Sequence, residues 1–258
     1  MIIQQFCFPL RKILDNVNLI IEQGNTLVKV AVYDKGQMLI SSVYREFDRE
    51  AVDVLFEQYP LINGIFSTVV ERNEYLISYL NEHLHRFFFL DETVALPIQV
   101  QYATKATLGQ DRVAAAVGAN FLQPNRDVLA IDAGTAITYE LIEASGNYLG
   151  GNISPGMDMR FKALHQFTQK LPIIVEKNEV PFVGTTTETA IRAGVVNGIV
   201  YEMDGYIDRL RLKYPNLFVF LTGGNSFYFV GRLKNPIFAD INLVLTGLNR
   251  ILEYNVEN

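Results

Sequence analysis

Cysteine is almost absent from this chain: Cys7 stands alone among 258 residues, which excludes an intrachain disulfide and any cysteine-built zinc site. Histidine is nearly as scarce, at three. His83 and His85 flank Leu84, and a spacing of two does not bring both imidazoles to one helical face, so no histidine metal centre is expected. His165 is assigned no chemistry. Basic clusters are also missing. With 22 Lys and Arg against 28 Asp and Glu, the net charge is −6, which argues against a nucleic-acid surface because that binding depends on neutralising many phosphates. No apolar run approaches the roughly 18 residues of a membrane span. The opening stretch "MIIQQFCFPLRKILDNV" sets Arg11 and Lys12 after its apolar residues and lacks a small-residue cleavage site, so it does not read as a secretory signal. A cytoplasmic protein is expected.

What is present is a chain with 49% hydrophobic residues, long enough for one large or two ordinary domains. Without a general positive field, any phosphorylated ligand must be held by backbone N–H groups, metal ions and a few placed cations. "NLIIEQG", "TLVKVAVYD" and "QMLISSVYR" read as three strands joined by tight turns, giving two antiparallel hairpins in succession. Helical spacing follows over Arg49 to Gln58, then a buried strand "GIFSTVV", then a helix near Arg72 to Leu84. "FFFL", Phe87 to Leu90, reads as a core strand.

The pattern then starts again. In "DVLAIDAGTAITYELIE" an apolar strand ends in an acid, Asp132, reaches Gly134 and returns as a second strand, with a third around Tyr148 to Ile153. Glu22 and Asp132 align at an offset of 110 residues (132 − 22), which also aligns Gly24 with Gly134. That spacing is domain duplication rather than a solenoid period. Helices are expected over about Gly156 to Phe167, Thr187 to Leu212 and Asn242 to Tyr254, with the strand "LFVFLTGG" before the last of these. "QPNRD", Gln123 to Asp127, has the turn chemistry of a domain connection. Two such sheets would set two carboxylates and two glycine turns across one cleft, an arrangement suited to magnesium and a nucleoside triphosphate. Each turn by itself is also an ordinary hairpin turn.

Duplicated acid-x-Gly turns resemble the actin, sugar kinase and heat-shock ATPase superfamily. Within it, "EQGNT" (Glu22 to Thr26), "YATKATLGQDR" (Tyr102 to Arg112), "DAGTAIT" (Asp132 to Thr138), "TTTETAIRAG" (Thr185 to Gly194) and "LTGG" (Leu221 to Gly224) resemble type III pantothenate kinase, in the family's order and spacing. The resemblance implies an α/β fold of two ribonuclease-H-like domains with mixed sheets. The first spans 18–124 and the second 125–258, after an N-terminal extension of 1–17. It implies phosphorylation of pantothenate by ATP, with magnesium and a monovalent cation (K+ or NH4+), in a cytoplasmic homodimer. An accessory relative that binds nucleotide without efficient catalysis is the alternative. The family writes its first motif with Asp where this chain has Glu22, a side chain longer by about 1.5 Å.

The resemblance makes Asp111 the acceptor of the hydroxyl proton; an acid in a helix's first turn is otherwise explained by the macrodipole. Tyr102, Gly109, Gln110, Arg112 and Thr187 become substrate contacts. Arg112 is suited to the pantothenate carboxylate because a guanidinium offers two parallel donors, and Gly109 would let the substrate pass close to the backbone. Thr187 competes with a capping role that Thr185 or Thr186 could take. Nucleotide binding falls to Glu22, Gln23, Gly24, Asn25, Thr26, Leu27, Val28 and Lys29, then Thr135, Gly223 and Gly224. Lys29, inside an apolar strand, is paired by phosphate on this reading and reaches solvent on the plainer one. Glu22 serves magnesium directly or through water, and Asp132 the monovalent cation.

Overall fold

The structure, a computed structural model, describes residues 17–175 and 179–258. Of the expected N-terminal extension only Val17 falls within them, and Cys7 lies outside. The chain divides into two units: one runs to Leu122 and takes in Asn242–Asn258, the other is Gln123–Ile241.

In the first unit, β1 (Val17–Gln23), β2 (Val28–Asp34) and β3 (Gln37–Tyr44) form the expected successive hairpins. They are followed by α1 (Arg49–Gln58), β4 (Leu61–Thr68), α2 (Glu74–His83), β5 (Arg86–Phe89), the short β6 (Gln99–Val100) and α3 (Gln110–Leu122). The sheet order is β3-β2-β1-β4-β5. β1 pairs antiparallel with β2 and parallel with β4, and as a central strand covered on both faces it is buried from Val17 to Glu22 without alternation. The helices start where side chains satisfy their first amides: Asp48 accepts from Ala51 N–H at 3.0 Å, and Asn73 from Leu76 N–H at 3.1 Å. "FFFL" differs from expectation. β5 lies at the outer edge of the sheet with its phenylalanines half-buried, and only Leu90 enters the interior.

The second unit contains β7 (Val128–Ala133), β8 (Ala136–Ile142), β9 (Asn147–Pro155), α4 (Met157–Gln166) and α5 (Thr187–Arg211). It ends with β10 (Phe218–Thr222), α6 (Ser226–Val230) and β11 (Phe238–Ala239). Its own strands are ordered β11-β10-β7-β8-β9. β7 pairs antiparallel with β8 and parallel with β10, so each unit has a central acid-ending strand with a meander on one side and parallel strands on the other. That shared plan is the duplication expected from the offset motifs. A core of Leu129, Ile131, Tyr139, Phe161, Val196, Ile199, Met203 and Leu221 joins this sheet to α4 and α5.

The C-terminal helix α7 (Leu243–Glu257) departs from the expected division, which placed it in the second domain. It returns to the first unit because its apolar face, including Leu245, Leu248 and Leu252, is buried against α3 and the first sheet. Gly118 of α3 and Gly247 of α7 permit a close backbone crossing: a Cβ on Gly118 would strike the Leu243 carbonyl, and one on Gly247 the Ala114 carbonyl. α3 is therefore held rigidly, and its N-terminal end carries Asp111 and Arg112.

Candidate active site

The β1–β2 turn is tied by Gly24 N–H donating to Leu27 O at 3.0 Å, which leaves Asn25, Thr26 and Leu27 exposed at its tip. Glu22 and Lys29 are direct cross-strand partners. Lys29 Nζ lies 3.2 Å from Glu22 Oε2, with the lysine side chain 23% and the glutamate 10% exposed. This is an ion pair without hydrogen-bond alignment, and Glu22 Oε2 is buried with no hydrogen-bond partner among the described residues. Lys29 thus meets a carboxylate of its own hairpin, a contact that neither sequence reading, pairing by phosphate or reach to solvent, included. Gln23 and Val28 are turned to other tasks. Gln23 Oε1 accepts from Thr68 Oγ at 3.2 Å, and Val28 belongs to the core, so any nucleotide contact from these two comes from backbone.

At the start of α3 the substrate candidates gather. Tyr102 is half-buried, with the Arg112 guanidinium 5.6 Å above its ring centroid, and Arg112 itself is only 5% exposed. Asp111 stands in the first turn of α3, half-buried, with Oδ1 accepting the Arg112 N–H at 2.9 Å. At Gly109 a Cβ would sit 2.6 Å from Asp111 Oδ1, so the missing side chain makes room for the carboxylate. Gln110 Nε2 donates to Leu108 O at 3.4 Å.

The second unit repeats the acid turn with different surroundings. Gly134 N–H donates to Ala136 O at 3.0 Å, and Thr135 is exposed at the tip. Asp132 faces Thr138 across the β7–β8 ladder and Thr222 across the parallel β7–β10 ladder. Gly223, at φ +92°, packs so closely here that a Cβ would meet Asp132 Oδ1 and the Ala133 backbone, while Asn225 N–H donates to Ala133 O at 2.9 Å. Two turns are thereby locked together around the Asp132 carboxylate, with Gly224 exposed beside them. The hydroxyls of Thr222 and Ser226 are fully buried there without a hydrogen-bond partner among the described residues. At the head of α5, Thr186 takes the cap: its side chain accepts from Thr189 N–H at 3.2 Å, and Thr189 answers with a reciprocal bond. Thr187 is left exposed in the first turn.

Among the described residues no three His, Cys, Asp or Glu side chains cluster as a metal cage. Magnesium in phosphoryl-transfer sites needs no such cage, being held by one or two carboxylates, waters and the phosphates themselves. Glu22 is a carboxylate of that kind, and Asp132 is a second one, beside the Gly223 turn.

The model of the type III pantothenate kinase family matches residues 18–209. The chain belongs to that family. The type III pantothenate kinase of Phocaeicola vulgatus is 49% identical over 241 residues, covering 93% of this chain and 99% of its own. Among solved structures, a Campylobacter jejuni protein assigned to the Baf family of transcriptional activators superposes with a TM-score of 0.57 at 22% identity, over 93% of this chain and 100% of its own. The activator of 2-hydroxyisocaproyl-CoA dehydratase from Clostridium difficile, solved with ADPNP bound, gives 0.50 at 13%, over 93% and 94%. At those identities the likeness is one of fold, that of the actin-like ATPases and sugar kinases.

Four of the five motifs that carry the family resemblance lie within the matched region, and Gly223 and Gly224 lie beyond it. Sequence reasoning missed the Glu22–Lys29 pair, although a hairpin closing on Gly24 and Leu27 sets those residues opposite one another. It also missed Glu202, whose carboxylate binds Tyr139 Oη at 2.8 Å, Ser154 Oγ at 2.5 Å and Arg160 Nη2 at 2.6 Å. These residues are scattered over 63 positions, and no local pattern announces them.

Proposed function

We propose that this chain transfers the γ-phosphoryl group of ATP to the primary hydroxyl of pantothenate, giving 4'-phosphopantothenate and ADP, the first step of coenzyme A synthesis. The observation that carries this reading is the start of α3, where a first-turn carboxylate, Asp111, adjoins a buried arginine stacked on Tyr102. An acid and a carboxylate receptor side by side suit a substrate with a hydroxyl at one end and a carboxylate at the other.

In this mechanism Arg112 binds the pantothenate carboxylate, with Tyr102 fixing the guanidinium plane. Asp111 accepts the hydroxyl proton as the alcohol oxygen bonds to the γ-phosphorus and the bond to the ADP oxygen breaks. Gln110 and Thr187 complete the substrate contacts. The backbone and side chains of Gly24, Asn25 and Thr26, with Lys29 and Thr135, hold the phosphates, and Gly223 and Gly224 leave room for the nucleoside. Magnesium, when bound, neutralises phosphate charge; Glu22 would hold it, directly or through water. Asp132 would hold the monovalent cation, K+ or NH4+. The protein acts as a homodimer in the cytoplasm. No helix among the described residues is long and apolar enough to cross a membrane.

The test is ADP release with and without pantothenate at defined magnesium and potassium. Release that requires pantothenate and yields phosphopantothenate is the expected result. Nucleotide binding without turnover would favour an accessory role instead.

A further inference from the structure

The carboxylate of Glu22 does something that a metal ligand alone would not. Its Oε2 reaches across the hairpin to within 3.2 Å of Lys29 Nζ. Its Oε1 lies over the turn, at 3.4 Å from where a Cβ on Gly24 would stand. The carboxylate therefore lies both over Gly24 and beside the Lys29 ammonium. Antiparallel partners bring their Cβ atoms to about 5 Å, and the extra methylene of Glu over Asp supplies the remaining reach. The contact is an ion pair rather than an aligned hydrogen bond. In the second turn the residue opposite Asp132 is the uncharged Thr138.

We propose that Glu22 is a positioning residue that holds Lys29 in the empty protein as a stand-in for phosphate, so that a polyphosphate must displace the carboxylate from the lysine to bind. This rests on the nucleotide reading of the β1–β2 turn and adds to it a competition between side chain and ligand. Metal-free polyphosphate meets that competition in full. A metal-loaded one relieves it, because the same carboxylate is then drawn to the cation.

Calorimetry with metal-free ADP and with tripolyphosphate, both in chelator, tests the competition apart from catalysis. Glu22→Gln is expected to bind each about fivefold more tightly than the unaltered protein, while the gain in affinity on adding magnesium shrinks. Lys29→Met is expected to weaken metal-free binding, and in its background Glu22→Gln is expected to change affinity by less than about twofold, the non-additivity of a coupled pair. Glu22→Asp serves if the amide variant loses its fold; its retreat by one methylene is expected to give a gain of the same sign, about twofold. Unchanged or weakened metal-free binding in Glu22→Gln, or additive effects of the two substitutions, would overturn the proposal. If the unaltered protein binds neither ligand with or without magnesium, the nucleotide reading itself fails; binding without the gain removes only the role of Glu22.

Discussion

The two acid turns of this protein share a backbone plan and differ in what faces the acid. In the β1–β2 turn Glu22 looks across at a lysine and forms an ion pair, and the glycine that closes the turn has ordinary space around it. In the β7–β8 turn Asp132 looks across at Thr138 and is packed against the Gly223 turn, where no Cβ fits. One hairpin thus carries its own counter-cation on a loosely packed tip. The other is compressed against a neighbouring turn, and its acid faces a threonine across the ladder. Duplicated architecture has been kept while the surroundings of the acid have changed.

The largest effect is expected away from both turns. Asp111→Asn should lower turnover about a thousandfold while nucleotide affinity, measured by calorimetry, stays within about twofold. An equal loss of both would make Asp111 a structural acid. Arg112→Ala should raise the KM for pantothenate about thirtyfold and leave that for ATP nearly unchanged, as expected for loss of a charge-assisted contact.

The comparison itself is sharpened by glycine. Gly223→Ala forces a side chain into a left-handed backbone and into the Ala133 main chain, and should lower stability by about 3 kcal/mol. Gly24→Ala meets only van der Waals contacts at 3.4 Å and should change stability by less than about 1 kcal/mol. Urea midpoints of the two variants check this, and similar losses would erase the proposed difference between the turns.

A smaller effect separates the units by pH. Burial pushes the Glu202 carboxyl upward, but hydrogen bonds from Ser154, Arg160 and Tyr139 outweigh it and hold the group below its ordinary range. A depressed carboxyl contributes stability that is complete above its unfolded value of about 4.3 and is lost as pH falls through the folded value. Glu202→Gln should therefore flatten the fall in thermal stability as pH drops below about 4.3.

Much of this was legible in the chain. The hairpins, the helix over Arg49–Gln58 and the long helix from Thr187 follow from local apolar spacing and caps, which operate over a few residues. The duplicated acid turns were legible because their motifs recur at one offset, and Asp111 with Arg112 because they are adjacent in a family motif. Long-range choices were not. α7 continues the chain of the second unit, yet packs with the first through Gly118 and Gly247, a backbone crossing that hydropathy does not encode. β5 looks like a core strand by composition, but edge or centre is decided by sheet order. The Glu22–Lys29 contact needed the strand register as well as the residues.

Hydrogen exchange on the unaltered protein, titrated with magnesium and a non-hydrolysable ATP analogue, bears most directly on the proposed nucleotide role of each turn. The account predicts that the amides of Gly24 to Thr26 and those of Gly134 and Thr135 slow together, over the same range of nucleotide concentration. Protection confined to one turn, with the other exchanging at its free rate at saturation, would contradict it.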